Sequence, residues 1–356
     1  MNDSSLQHII DALRGADFKA YVKNVKAEID EIFTMLQKNS KYQLDRCRLV
    51  GGLGKKTSVA RYADADLVVF YNNKGCAKED ILNDFKNILV KHKRIRREDI
   101  KITPNFIMKF KLNDIPIDLV IAYNHAVGIP IPTAKTVIDV QRERSYEAFK
   151  RSALARSGGL HGESVPELGM ELTESSVDVI KKQSKFVHDV IILAKYWSQK
   201  LLFKYYVYGR SFIIETLAAR AAWYEEKNTK PSLKQAFEAF LEMVSKIRTQ
   251  RIIWNYPTYY NDSEIPAYIR SGQLPILMDP VNPYNNLLDG SRIHGLQHLF
   301  HVYEYAADAV LKLIRTGCKE ISFIFSSQPG KYANFCHTHC DKCGRHDHRI
   351  ERCIVK

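Results

Sequence analysis

The chain has 356 residues, of which 45% are hydrophobic and 26% charged, a composition typical of a folded protein with more than one domain and not of a disordered one. Its net charge of +13 favours a polyanionic partner, although charge alone does not separate nucleic acid from an anionic membrane surface. The amino terminus lacks the pattern of a secretion signal and no run of about 18 apolar residues occurs, so we expect a cytoplasmic or nuclear protein without membrane association.

Residues 1–45 are predicted to form an N-terminal helical region built on one long helix over residues 17–38. Apolar residues recur in this helix at three- and four-residue steps: Val22, Val25, Ile29, Ile32, Phe33 and Leu36. Another face has three lysines at helical spacing, Lys19, Lys23 and Lys26. These lysines are either a solvated helix face or part of a surface that contacts nucleic acid.

The segment GGLGKKTSVARYADADLVVF, residues 51–70, is the most informative part of the sequence. Asp64 and Asp66 lead into the apolar strand LVVF, so their side chains should share one face of a strand. A hard cation such as Mg²⁺ offsets the repulsion between two adjacent carboxylates and recruits substrate phosphates as further ligands. Gly51 and Gly52 allow backbone N–H groups to approach those phosphates closely. The segment therefore predicts a metal-dependent phosphoryl or nucleotidyl transfer site.

A third carboxylate follows in the next apolar strand. A helix is predicted over residues 77–92, and strands over 105–112 and 115–122 with Asn113 and Asp114 as the turn between them. Asp118 lies within the second of these strands, where an aspartate is unfavourable unless it is paired, hydrogen-bonded or bound to metal.

Asp64, Asp66 and Asp118 are therefore a candidate carboxylate triad. Two metal ions about 4 Å apart, held by such a triad, would activate a hydroxyl and stabilise the leaving pyrophosphate. The alternative for an isolated Asp-x-Asp is a surface pair at a strand end. The glycine turn, the apolar strand and the third aspartate favour the triad.

The second half of the chain shows a mainly helical pattern. A short helix is predicted near residues 143–156, and helical stretches follow near 172–201, 211–226, 231–247 and 293–316. We therefore expect an α+β protein of two lobes, with a mixed-sheet core over residues 46–170 and a helical lobe over residues 171–330.

Residues 331–356 form a tail with the ligand order of a CCHC zinc knuckle, Cys340, Cys343, His348 and Cys353. A structural Zn²⁺ ion would supply the folding energy of so short a segment. Three alternatives stay open: a disordered Cys/His-rich tail, a knuckle that binds single-stranded nucleic acid, and a metal site that braces the helical lobe. The spare candidate ligands are Cys336, His337, His339 and His346.

Five segments, in chain order, resemble the nucleotidyltransferase core of the polymerase-β superfamily, and within it the 2′-5′-oligoadenylate synthase and cyclic GMP-AMP synthase-like group. The likeness spans roughly residues 15–320. The segments are GLGKKTSVARYADADLVVF, PIDLVIAY, ELTESSVDVIKKQ with VIILAKYWSQK, GRSFIIETLAARAAWYE, and PILMDPVNPYNNL. The zinc-knuckle-like tail is not a general feature of this family.

The resemblance implies a role for each matching residue. The triad Asp64, Asp66 and Asp118 would hold the catalytic Mg²⁺ ions. The residues that would contact the nucleotide are Gly51, Gly52, Lys195, Phe212 and Glu215. Phe212 is alternatively a core aromatic of an amphipathic helix. The residues that would face double-stranded RNA are Lys19, Lys23, Lys26, Lys55, Lys56 and Lys181.

The implied activity is RNA-sensing nucleotidyl transfer in innate immunity and antiviral defence. Double-stranded RNA would activate an enzyme that joins ATP, alone or with GTP, into a 2′-5′-linked oligoadenylate or a cyclic dinucleotide second messenger. Gly52 and Leu53 stand where vertebrate relatives have serines, which leaves the product open. The alternatives are a template-independent RNA-tailing enzyme and a catalytically inactive RNA-binding module of the same fold.

Overall fold

The computed structural model describes residues 1–59, 63–91, 95–133, 135–157, 170–203, 209–254, 260, 262–289, 295–318, 320–327 and 329. The chain divides into two compact units. We call residues 13–182 the sheet unit, and residues 1–12 with 183–356 the helical unit. None of the described helices is both long enough and apolar enough to cross a bilayer.

The sheet unit is built on a mixed five-stranded sheet in the order β1-β2-β5-β4-β3. The central strands β2 and β5 run parallel, and the other neighbours are antiparallel. The strands are β1 (Leu44–Leu49), β2 (Ala65–Tyr71), β3 (Lys101–Ile102), β4 (Met108–Leu112) and β5 (Ile115–Tyr123). The helices are α2 (Ala16–Asn39), α3 (Gly51–Gly54), α4 (Lys78–Val90), α5 (Val137–Ser157) and α6 (Thr173–Lys181).

The two faces of this sheet have different partners. Alternate residues such as Leu67 and Leu119 join one buried core with the apolar faces of α2 and α4. The intervening residues point to the other face, where Val68 and Phe70 pack with Val177 of α6. Asp66 and Asp118 have the alternation of this second face, so the carboxylates lie opposite the α2–α4 core.

The helices and strands predicted for the sheet unit are confirmed, except that β4 begins at Met108 instead of residue 105 and that two predicted helices differ in length. Helix α2 begins and ends within one residue of the predicted bounds, and Asn113 and Asp114 form the predicted turn with φ angles of +47° and +64°. Helix α5 has 21 residues and is longer than predicted. The helical stretch predicted over 172–201 is two helices, because Ser184 caps the second one by accepting a hydrogen bond from the Val187 N–H.

The helical unit contains α1 (Asp3–Leu13, most of which lies in this unit), α7 (Lys185–Lys200), α8 (Arg210–Glu225), α9 (Leu233–Ser245), α10 (Ala267–Arg270), α11 (Leu296–Arg315) and α12 (Ile321–Ile324). Trp197 of α7 is fully buried in its core, with its ring centroid 5.7 Å from that of Phe240 and 5.8 Å from that of Tyr303. Asp3 accepts hydrogen bonds from the Ser232 hydroxyl and the Lys234 N–H, so α1 docks at the start of α9.

This unit also contains strands that the helical pattern did not indicate. They are β6 (Arg251–Ile252), β7 (Ile276–Asp279) and β8 (Asn282–Asn286), which form a sheet in that order. All four residues of β7, Ile-Leu-Met-Asp, are buried, so the strand shows no two-residue alternation of apolar and polar residues. A short buried strand of this kind does not differ from a buried helical turn by periodicity alone.

Candidate active site

The structure brings the aspartates of the two central strands side by side. Asp66 of β2 and Asp118 of β5 are direct partners in the parallel register. Asp64 precedes the first residue of β2 by one position, and the alternation of the strand directs it to the same face. The neighbouring strands therefore direct three carboxylates to one face of the sheet.

The charges of these carboxylates interact. The pKa of Asp64 is raised, first because nearby atoms partly desolvate its carboxylate and then because Asp118 is negatively charged, while Lys109 opposes the shift. More than a third of Asp64 nevertheless remains exposed. The pKa of Tyr21 is also raised, first by burial and then by the charge of Asp64, and its hydroxyl donates to the Ala63 carbonyl at 2.6 Å. Excess negative charge is therefore concentrated around the three aspartates.

Asp118 has a partner in the structure. Its side chain is about one quarter exposed, at 24%, and accepts a hydrogen bond from the ammonium group of Lys109 on β4. The sequence required such a compensation but did not identify it. The exposed lysines of β4 alternate with Met108, Phe110 and Leu112, and this period of two was the available signal for Lys109.

The glycine turn packs directly against the carboxylate of β2. Gly51 has φ +55°, and a Cβ atom added to it would lie 1.8 Å from Oδ2 of Asp66. The Val50 N–H donates to the Asp66 carbonyl at 2.8 Å, and the Thr57 N–H donates to the Gly52 carbonyl at 2.8 Å. The turn is therefore held to β2 by its backbone, and only glycine allows this approach at position 51.

The predicted RNA-facing lysines have different environments. Lys19, Lys23 and Lys26 are exposed on α2, opposite its buried face, and Lys181 is exposed on α6. Lys56 is exposed with φ +62°, and its carbonyl accepts a hydrogen bond from Arg14 at 2.7 Å. Lys55 is buried, with only 7% of its surface exposed.

The predicted nucleotide contacts outside the glycine turn lie in the helical unit. Lys195 of α7 and Glu215 of α8 are both buried, and Nζ of Lys195 is 3.4 Å from Oε2 of Glu215. Phe212 lies half-buried in the first turn of α8, three residues before Glu215. Sequence reasoning placed these residues at one site, and the structure brings Lys195 and Glu215 together as an ion pair.

The predicted zinc ligands Cys340, Cys343, His348 and Cys353 lie outside the described residues. Within the described ranges, no three His, Cys, Asp or Glu side chains gather into a ready-made metal site. The three aspartates fit Mg²⁺ by their chemistry, because they are hard oxygen donors whose mutual repulsion a cation relieves. One of them, Asp118, accepts a hydrogen bond from the Lys109 ammonium.

Sequence reasoning missed a second cluster, which joins α6 to the sheet. Glu174 of α6 is buried and accepts from Arg46 at 2.6 Å and from Arg48 at 2.7 Å, both on β1. The Arg46 guanidinium also lies 4.0 Å from the centre of the Phe70 ring. These residues are 126 and 128 positions apart, so no local pattern pairs them.

Comparison with solved structures identifies the fold of the chain. The chain is similar over 94% of its length to CdnC of E. coli MS115-1, solved with ATP, of which 97% is covered with a TM-score of 0.58 and 17% identity. A likeness at that identity establishes the fold. The fold is the predicted α+β fold of polymerase-β-like nucleotidyltransferases.

Sequence comparison shows similarity to oligoadenylate synthases. Residues 152–311 match the model described as 2′-5′-oligoadenylate synthetase 1, domain 2, C-terminus. The chain is 24% identical to the inactive 2′-5′-oligoadenylate synthase 1B of Rattus norvegicus over 274 residues, which are 70% of this chain and 69% of that protein. It is 23% identical to 2′-5′-oligoadenylate synthase 1A of the same species over 269 residues, 68% of this chain and 71% of that one. The matched residues are thus similar to those of 2′-5′-oligoadenylate synthases.

Proposed function

We propose that the protein is an active, Mg²⁺-dependent nucleotidyltransferase that double-stranded RNA switches on. It would join ATP, alone or with GTP, through a ribose hydroxyl and release pyrophosphate, to make a 2′-5′-linked oligoadenylate or a cyclic dinucleotide messenger in innate immunity. One of the similar proteins is named as inactive, so family likeness alone does not imply catalysis. The observation that supports activity is the complete triad, with Asp66 and Asp118 paired across β2 and β5 and Asp64 interacting with Asp118.

The residues of the chain would promote the reaction mainly by positioning the metal ions and the triphosphate. Asp64, Asp66 and Asp118 would hold two Mg²⁺ ions, which when bound would lower the pKa of the attacking hydroxyl and neutralise charge on the leaving pyrophosphate. Gly51 and Gly52 would let the backbone of the turn approach the triphosphate, since the turn already lies against Asp66.

The family resemblance also assigns nucleotide contacts to residues of the helical unit. Phe212 would stack on a base, and Lys195 would offer its ammonium to the triphosphate. Because Lys195 is buried beside Glu215, it is pre-positioned by that carboxylate and has little side-chain freedom to lose on binding. Glu215 would therefore act on the nucleotide through Lys195.

Activation by double-stranded RNA would act through exposed lysines of the sheet unit. Lys19, Lys23, Lys26, Lys56 and Lys181 have accessible side chains suited to backbone phosphates. Lys55 is buried directly after the glycine turn and would respond to a rearrangement of the turn rather than contact RNA first. The double-stranded nature of the ligand rests on the family resemblance, because A-form RNA is recognised by shape and backbone.

The experiment that tests this function is incubation of purified protein with all four nucleoside triphosphates and Mg²⁺, with and without double-stranded RNA. We expect short products from free nucleotides only when RNA is present, identified by mass and by resistance to 3′-5′-specific nucleases. A labelled RNA that grows at its 3′ end would instead identify a tailing enzyme. Absence of product under every condition would leave an RNA-binding module.

The matched variant for this assay is Asp66→Ala. Because Asp66 would be one of the three metal-holding carboxylates, we expect product formation to fall by at least about a thousandfold. We expect the fold to be retained, because Asp66 is only partly buried. Circular dichroism and thermal unfolding provide the control for folding. Nucleotide-dependent activity that survives this substitution would contradict the assignment of the metal site.

A further inference from the structure

Four charged residues lie in one row across the sheet, directly next to the candidate site. The strand registers pair Lys101 of β3 with Lys109 of β4, Lys109 with Asp118 of β5, and Asp118 with Asp66 of β2. Directly opposed residues of neighbouring strands point to the same face, so two positive charges and two negative charges follow one another. Each like-charged pair is unfavourable by itself.

The contact between Lys109 and Asp118 joins the two halves of the row. The Lys109 ammonium donates to Oδ2 of Asp118, and the two side chains are 47% and 24% exposed. The positive charge of Lys109 also acts against the rise in the pKa of Asp64, so its field reaches beyond its hydrogen-bond partner. Lys109 therefore occupies a position at which the three carboxylates require a cation.

We propose that Lys109 is an exchangeable counter-ion for the third catalytic carboxylate. It neutralises Asp118 while the site holds no metal, and it leaves Asp118 when Mg²⁺ takes that oxygen as a ligand. This inference rests on the proposed function, because it assumes that Asp118 is a metal ligand. Its consequence is that the free enzyme binds metal weakly, since a Mg²⁺ ion that takes Asp118 as a ligand must first displace the Lys109 ammonium.

The same exchange favours metal that arrives together with nucleotide. When Mg²⁺ displaces the Lys109 ammonium, that positive charge has no carboxylate partner on β5, and the triphosphate oxygens supply a new one close by. Lys101, exposed on the neighbouring strand, adds to the positive charge on this side. Lys109 is thus a positioning residue that couples metal binding to nucleotide binding.

The test is Mn²⁺ binding to the full-length protein without nucleotide, measured from the electron paramagnetic resonance signal of free Mn²⁺. Removing one unit charge about 5 Å from a divalent ion should tighten binding by about tenfold in a mostly aqueous environment. We therefore expect Lys109→Met to bind Mn²⁺ about tenfold more tightly than the wild type. Lys111→Met is the matched control, because Lys111 is exposed on the same face of β4 but opposes Pro116. We expect it to change the affinity by less than about twofold.

Two further measurements separate this inference from the proposed function. Asp118→Asn should abolish most Mn²⁺ binding, and if it does not, the metal site itself is wrong and the counter-ion inference falls with it. If Asp118→Asn weakens binding while Lys109→Met leaves it unchanged or weaker, only the counter-ion inference is overturned. Thermal unfolding with and without Mg²⁺ gives an independent readout, since the metal should raise the melting temperature of Lys109→Met more than that of the wild type. Lys109→Gln gives the same comparison if the methionine variant does not fold.

Discussion

Gly51 combines two constraints in one residue, a left-handed backbone and the immediate proximity of the Asp66 carboxylate. Its φ is +55°, and a Cβ atom there would lie 1.8 Å from Oδ2 of Asp66. Any side chain would therefore displace either the turn or the Asp66 carboxylate. The sequence indicated the turn, whereas the contact with Asp66 is visible only in the folded chain.

Gly51→Ala should reduce product formation by at least about a hundredfold and destabilise the protein by about 1–3 kcal/mol, because strain is added to a clash with Asp66. Gly75→Ala is the matched control, since Gly75 has φ +80° and no neighbouring atom within 4 Å of an added Cβ. Gly75→Ala should lower the free energy of unfolding by only about 1 kcal/mol, because of the left-handed backbone, and should keep full activity. Equal activity of the two variants would show that the contact with Asp66 has no role in catalysis.

At the scale of elements, the ion cluster of Arg46, Arg48 and Glu174 attaches helix α6 to strand β1. The Glu174 side chain is 2% exposed and that of Arg46 is 12% exposed, so removal of the carboxylate leaves a largely buried guanidinium without its main partner. The same helix presents Val177 to the sheet face on which the aspartates lie. The cluster therefore fixes helix α6 against the sheet that contains the three aspartates.

Glu174→Ala should lower the free energy of unfolding by about 3 kcal/mol, because it leaves a buried charge uncompensated. Glu143→Ala is the control for an exposed pair: Glu143 lies 2.7 Å from Lys135, and both side chains are more than 40% exposed. That change should cost at most about 1 kcal/mol. Urea unfolding of the two variants gives the comparison, and similar losses would argue against a structural role for the cluster.

Helices α7 and α11 are joined by a buried hydrogen bond between the hydroxyl groups of Ser198 and Tyr303, 2.8 Å apart. Burial raises the pKa of Tyr303 to about 12, against smaller opposing effects of Ser198 and Arg210. In the unfolded chain a tyrosine titrates near 10. Above pH 10 the unfolded chain therefore loses a proton that the folded chain keeps, and stability falls as the pH rises.

Tyr303→Phe removes this source of pH dependence. The variant should be about 1 kcal/mol less stable than the wild type at pH 8, because Ser198 loses its partner. This difference in stability should shrink as the pH rises, because only the wild type loses stability through Tyr303. Urea unfolding of both proteins at steps of pH between 8 and 11 measures it. A difference that stays constant across this range would contradict the raised pKa of Tyr303.

At the scale of the whole molecule, the net charge of +13 is the feature most directly linked to a polyanionic ligand. The exposed lysines of α2 lie on the side of the helix that faces away from the sheet, so α2 offers a continuous apolar face to the core and a basic face to solvent. This division explains how one helix serves both the fold and the proposed RNA surface.

Replacement of Lys19, Lys23 and Lys26 together by glutamate should weaken binding of double-stranded RNA and reduce the salt dependence of log K by about three. The control is the same charge change at three exposed lysines of the sheet unit outside α2, Lys74, Lys91 and Lys111. Binding titrations at several salt concentrations compare the two variants. An equal loss in both would mean that total charge, and not the α2 surface, attracts the RNA.

Some residues of the candidate site could be predicted from the sequence and others could not. Asp64, Asp66 and Asp118 were evident because each lies in or beside a short apolar run, where a carboxylate needs a reason. Lys109 was not evident, because an exposed lysine in an alternating strand looks like any solvated residue. The strands of the helical unit were missed because β7 is buried at every position and has no alternation.

By itself, the sequence determined the chemistry and the local elements of this protein: three carboxylates, a glycine turn, amphipathic helices and their order along the chain. Such features are encoded by residue type and by spacings of two to four residues, which local steric and solvation effects translate directly into structure. Only the tertiary structure decided that Gly51 meets Asp66, that Lys109 pairs with Asp118, and that Glu174 is buried between two arginines. These contacts depend on strand register and helix packing between distant segments, and no local pattern specifies which of several lysines or glutamates will face a given partner.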